Sequence, residues 1–128
     1  CWVANRNSNN VTRIQKSNPA ITTTIAVGTN PEGVAVDGTY CWVVNTSSSN
    51  VTRILKSDTS QKTTITVGTS PQGIAVDGTY VWVANGASNN VTRILKSDLT
   101  KTTVAVGTLP YSFGDMTGYA YDNYSRVP

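Results

Sequence analysis

The residues able to do chemistry are few, and the most versatile of them is missing: the chain contains no histidine. Ser-His-Asp and Cys-His catalysis, and the usual imidazole metal sites, therefore have no donor in it. The carboxylates are Glu32, Asp37, Asp58, Asp77, Asp98, Asp115 and Asp122. Asp37 and Asp77 each precede a glycine between two β-type runs, where a turn role is sufficient. A ring of repeated acids can hold calcium or magnesium, but the acid at Glu32 becomes Gln72 and Tyr111 at the equivalent places of the repeat described below. Cys1 and Cys41 also occupy one repeat position, with Val81 standing there in the third unit. Equivalent positions on neighbouring units lie beyond the ~7 Å that a disulfide spans, and the valine points to cysteine acting as a small buried hydrophobe. Asn10-Val11-Thr12, Asn50-Val51-Thr52, Asn90-Val91-Thr92 and Asn123-Tyr124-Ser125 fit the N-glycosylation acceptor pattern. Asparagine at a loop-to-strand junction, followed by β-branched residues, explains the first three equally well. No catalytic, cofactor-binding or metal-binding residue is assigned, and no cofactor is expected.

The elements that position these residues follow from an internal repeat. Residues 1–40 align without a gap on 41–80, and residues 81–108 repeat the unit with one residue deleted near Leu99–Lys101. A unit of this length is a supersecondary element that buries its apolar surface only by stacking on its neighbours. In the middle copy, strands are expected at Gly33–Val36, Cys41–Asn45, Asn50–Leu55 and Lys62–Val67. The Asp37-Gly38 turn is a strong hairpin signal. All connections are short, so the strands should pair in order as an antiparallel meander. No segment has a 3.6-residue apolar period, so almost no helix is expected. Four-stranded meanders repeated at ~40 residues are blade-like; a β-solenoid is the structural rival.

The stretch Pro-x-Gly-[Val/Ile]-Ala-Val-Asp-Gly-Thr-Tyr-x-Trp-Val-[Ala/Val]-Asn occurs at Pro31–Asn45 and again at Pro71–Asn85. It resembles the YVTN and NHL propeller repeats and those of the streptogramin-lyase-type propellers, over residues 1–110. The resemblance implies an all-β fold, a β-propeller of four-stranded antiparallel blades, with three blades per chain. It places Gly33–Val36 and Ile74–Val76 innermost, and Trp2, Trp42 and Trp82 between blades as packing residues. The lyases of this type use a histidine base and a bound magnesium. With no histidine here, that activity does not carry over to this segment.

The chain is in phase with a split blade: it opens in a second strand, and Pro110–Met116 falls where a fourth innermost strand belongs. Three blades are too few for a ring, which takes roughly 4–8, and open strand edges invite association. Either two chains join head to tail into a six-bladed ring, or the remaining blades belong to a longer polypeptide, of which the opening inside a strand, without an initiator methionine, is suggestive. The tyrosine-rich residues 117–128 cover an edge, extend the closing strand, or bind sugar or protein. The basic residues recur singly (Arg13, Arg53, Arg93; Lys16, Lys56, Lys96) rather than as a contiguous face, despite a net charge of +3. No nucleic-acid partner is expected, nor a membrane span.

Variable polar loops and the Gly-Thr-x-Pro connections should share one face on a rigid scaffold, a common binding arrangement. The candidate ligand face is Arg6, Asn7, Asn9, Asn30, Glu32, Ser47, Ser49, Gln72, Ser88, Asn89 and Tyr111. The leading expectation is a non-enzymatic scaffold for binding or assembly, extracellular or at the cell surface, partnered by itself as a head-to-tail homodimer or by the missing blades, with a protein or glycan as further ligand. The alternatives are a lyase-like enzyme whose catalytic residues lie outside this segment, and a carbohydrate-binding propeller.

Overall fold

The computed structural model describes residues 1–112 and Met116. The closing strand expected over Pro110–Met116 lies outside the described residues beyond Ser112, apart from Met116. The tail 117–128, Asp115, Asp122 and the Asn123 acceptor pattern lie outside them altogether.

Three antiparallel sheets follow one another along the chain. The first blade has three strands, β1 (Trp2–Asn5), β2 (Asn10–Ile14) and β3 (Thr22–Ala26). The middle blade has β4 (Pro31–Val36), β5 (Tyr40–Asn45), β6 (Asn50–Leu55) and β7 (Lys62–Thr66). The third has β8 (Pro71–Val76), β9 (Tyr80–Asn85), β10 (Asn90–Leu95) and β11 (Lys101–Ala105). One short 3-10 turn, Arg6–Ser8, is the helical content of the described residues. Within each blade, each strand pairs with the next in sequence, as the short connections require.

The expected third strand has its observed limits, while the first strand begins two residues early, at Pro31. Proline is admissible there because β4 and β8 are edge strands, so a missing N–H removes no ladder bond. A register shift between Pro31 and Val34 hid this start from a reading by alternation. The third-unit deletion falls in the β10–β11 turn, where Leu99 takes φ 64°.

Strand β5 shows why the blades stack. Cys41, Trp42, Val43, Val44 and Asn45 are all fully buried, on both sides of the sheet. Cys41, Val43 and Ile54 pack with Val11 and Ile25 of the first blade. Trp42, Val44 and Val51 pack with Ile74, Val81, Val83 and Ile94 of the third. Alternate residues thus feed two cores, as a pleat with period two demands. The innermost strands meet closely: a Cβ on Gly33 would sit 2.7 Å from the Gln72 carbonyl oxygen, and one on Gly73 would sit 2.8 Å from that of Ser112. Only glycine permits this approach. Ser112 therefore lies against the third blade much as Gln72 lies against the middle one.

Trp42 is the inter-blade residue expected, fully buried in the core between middle and third blades. Trp2 packs at the junction of first and middle blades. Trp82 is only partly buried, because its side of the sheet has no following blade among the described residues.

Candidate functional site

The loops at one end of the blades form the first candidate. Arg6 pairs with Glu32 at 3.0 Å. Glu32, Gln72 and Tyr111 converge with Ser112 and the innermost strands around a cavity of about 300 Å³. Asn9, Asn30, Ser47, Ser88 and Asn89 hold the loops together. Asn9 Oδ1 accepts from the Asn30 amide at 3.0 Å, and Asn89 Oδ1 from that of Leu109 at 2.9 Å. Asn30 Nδ2 donates to Ser47 Oγ, and Ser88 Oγ accepts from the Thr69 amide. Asn9, Ser49 and Asn89 all have φ 54°, the left-handed conformation that closes the loops before β2, β6 and β10. Asn7 lies exposed in the 3-10 turn.

Behind this face sits a repeated polar triad. Asn45 Nδ2 donates to Asn50 Oδ1 at 2.8 Å and to Thr52 Oγ1 at 2.9 Å, and Asn85 does the same with Asn90 and Thr92. The glycosylation-like asparagines Asn50 and Asn90, and Asn10 with Asn5, are thus structural acceptors. The Oδ1 atoms of Asn45 and Asn85, at the ends of β5 and β9, are buried without a hydrogen-bond partner among the described residues.

The opposite end carries a second network that the residue types alone did not disclose. Asp37 Oδ1 accepts from the amides of Thr39 and Tyr40, and Oδ2 accepts from Trp42 Nε1 at 3.0 Å. Asp77 repeats all three bonds with Thr79, Tyr80 and Trp82. The arginine of the next strand lies over the tyrosine, Arg53 on Tyr40 at 4.4 Å and Arg93 on Tyr80 at 4.3 Å. A lysine closes the turn: Lys56 Nζ donates to the Asp37 carbonyl oxygen, and Lys96 Nζ to that of Asp77. Lys96 also reaches back across the blade junction to Asp37 Oδ2 at 3.1 Å. Burial pushes the Asp37 carboxyl up. The Tyr40 amide, the Trp42 indole, the Thr39 amide and the Lys96 ammonium more than offset this, and hold it below the usual carboxylate value. The signal was present in the sequence as a constant offset, Asp37-Gly-Thr-Tyr40-x-Trp42 with Arg53 and Lys56, repeated forty residues on.

Cys41 is fully buried, and desolvation pushes its thiol up to about 12, only partly countered by Lys56; a thiol so placed is a packing group. No cluster of three or more His, Cys, Asp or Glu side chains exists among the described residues. No helix among them is long and apolar enough to cross a membrane.

No protein-family model matches the chain, and no curated protein matches it. Solved structures do. A virginiamycin B lyase from Staphylococcus aureus superposes with a TM-score of 0.72 at 20% identity, covering 84% of this chain and 38% of the lyase. A streptogramin B lyase gives 0.69 at 21% identity, covering 84% of this chain and 37% of that one. A chain of a nidogen/laminin complex gives 0.69 at 11% identity, covering 81% and 42%. The chain thus spans about two fifths of the length of these neighbours. Three successive antiparallel sheets, stacked through a strand buried on both sides and matched to these structures, make the chain a three-bladed run of a β-propeller, the fold that its repeat resembles.

Proposed function

We propose that this chain is a non-enzymatic propeller segment whose work is association, first with further blades and through them with an extracellular or cell-surface partner. One observation carries the reading. Val43 and Val83 are fully buried, while Val3, at the same place on the first blade, is 41% exposed. Ile25 and Ile65 are 5% and 6% exposed, while Val104, their equivalent on the third blade, is 45% exposed. Among the described residues, each end of the stack presents the apolar surface that a neighbouring blade covers elsewhere. The two surfaces are complementary in the sense of a head-to-tail contact, which closes into a ring when the rotation permits. Two chains joined in this way make six blades, within the usual range.

The test is the native mass in solution by light scattering. Twice the chain mass of 13.6 kDa is expected; a single-chain mass at micromolar concentration refutes assembly of this chain with itself.

A second reading, a small polar ligand such as a sugar at the loop face, rests on the convergence of Glu32, Gln72 and Tyr111 around their cavity. A glycan array tests it, and an absence of hits across broad sugar classes removes it. Lyase-like chemistry has no histidine in these 128 residues to carry it and would rest on residues outside them.

A further inference from the structure

One peptide bond in the third blade is chemically unlike its counterparts. Asn85-Gly86 is the chain's one Asn-Gly pair; Arg6 and Thr46 stand at the place of Gly86 in the first and middle blades. The fold does not ask for glycine here. Gly86 has no left-handed backbone, and a Cβ on it would come no closer than 3.4 Å to its neighbours, the nearest being the Ser70 carbonyl oxygen. The Gly86 amide donates to that oxygen at 3.0 Å, as the Thr46 amide donates to the Asn30 carbonyl oxygen at 3.0 Å. The same backbone bond thus forms with and without a side chain.

An Asn-Gly pair readily loses the asparagine's amide, because no side chain shields the following nitrogen and its backbone turns freely. The glycine nitrogen attacks the asparagine Cγ and gives up its proton. Nδ2 takes a proton and leaves as ammonia, and the succinimide that remains is opened by one water. Opening at the side-chain carbonyl gives aspartate; opening at the main-chain carbonyl gives isoaspartate, with an extra methylene in the backbone.

In the folded blade each party to this reaction is restrained. The nucleophile is spent on the Ser70 carbonyl. The leaving group, Asn85 Nδ2, donates to Asn90 Oδ1 and Thr92 Oγ1 at 2.8 Å each. Asn85 Oδ1, where negative charge must gather, is buried with no donor among the described residues, so it lacks the help that an oxyanion site gives. Asn85 itself is fully buried. Gly68, on the connection from the middle blade, covers the carboxamide so closely that a Cβ there would sit 2.7 Å from Cγ.

We propose that Asn85-Gly86 is a spontaneous modification site gated by the junction of the middle and third blades, sealed while Gly68 covers it and converted once the junction opens. The change runs one way. Aspartate puts a carboxylate in a fully buried place, with the Asn90 and Thr92 oxygens where Nδ2 was held, which is costly. Isoaspartate lengthens β9 at a residue in register with both Pro71 and Asn90. Asn45-Thr46, with the same triad and the same backbone bond, has no such outlet.

The experiment incubates the purified chain at mildly alkaline pH, native and in urea, and follows amide loss and isoaspartate at residue 85 by mass spectrometry of its peptides. Native conversion should be at least about tenfold slower than in urea, and should rise with the open population as sub-denaturing urea is added. Equal rates in the native and unfolded chain would overturn the gate. Thr92→Val removes one acceptor of the Asn85 amide and should speed native conversion about tenfold while leaving the rate in urea unchanged. Thr92→Ser keeps the hydroxyl and should stay slow. A valine chain as protected as the native one, or a serine chain as fast as the valine one, would remove the triad from the gate. Gly86→Thr copies the middle blade and should fold while nearly ending conversion at residue 85 in both states; undiminished conversion would overturn the succinimide route. The Asn85→Asp chain should unfold at lower urea than the native chain, and equal midpoints would overturn the one-way character.

Discussion

The middle blade and the two end blades are built from nearly the same sequence, yet they occupy different physical states. Trp42 is fully buried, while Trp82 and Trp2 are partly exposed. Val43 is sealed, while Val3 is open. Lys96 joins two blades through Asp37, while Lys56, at the same repeat position, pairs with no described carboxylate. The difference teaches that a blade's sequence specifies a surface, and its neighbour decides whether that surface becomes a core. Stability in such stacks is close to a sum of unit and interface terms.

The comparison breaks most readily at the tryptophans. Trp42→Ala should cost about 3–5 kcal/mol, as buried aromatic truncations do, and Trp82→Ala clearly less, read from urea unfolding midpoints. Equal losses would mean that the third blade is covered in solution. The valines sharpen the same point. Val43→Ala should cost about 2 kcal/mol and Val3→Ala under ~1 in a single chain; in an assembled ring, Val3→Ala should approach the larger figure and become concentration-dependent. Next come the turn aspartates. Asp37→Asn should destabilise by about 1–2 kcal/mol, more than Asp77→Asn, which loses no described salt bridge. Because the folded carboxyl of Asp37 lies below its usual value, its contribution is present above the unfolded pKa of about 3.9 and is lost as pH falls through the folded value. Asp37→Asn should therefore flatten the acid limb of a stability-against-pH curve. The smallest effect is chemical. At pH 8 one thiol, the exposed Cys1, should react quickly with a disulfide reagent, while Cys41, buried with its thiol pushed up to about 12, should wait for unfolding. Two fast thiols would mean that the first and middle blades part readily.

Much of this fold was legible because the repeat states it three times. The Asp-Gly turns, the alternation in the second strand and the exact recurrence of the third fixed strand order and blade type. The start of the innermost strand was less legible: at Pro31 the register shift breaks the alternation that a period-two reading depends on. The loop face was readable as a place, since blade geometry puts those connections at one end. Which of its side chains are spent on holding loops, such as Asn9 and Asn89, was not, because an asparagine in a left-handed turn and one awaiting a ligand look alike in sequence. The Asp-Lys-Arg-Tyr network went unread for a different reason: its members sit on separate strands, and Lys96 belongs with an aspartate 59 positions earlier.

The third strands have a consequence for how the chain finds its shape. Asn-Val-Thr-Arg-Ile stands unchanged at β2, β6 and β10, so during folding each second strand meets three chemically equivalent suitors. What distinguishes them is the length of chain between. The correct partner of β5 is reached across residues 46–49, and the partner one blade further on across forty more. Loop-closure entropy makes the distant pairing about 2 kcal/mol less favourable, roughly a thirtyfold preference for the near one. Fidelity in this molecule is thus kept by tight hairpins rather than by differences among strands, and lengthening one of those four-residue loops should produce blade-skipped isomers before it produces any loss of secondary structure.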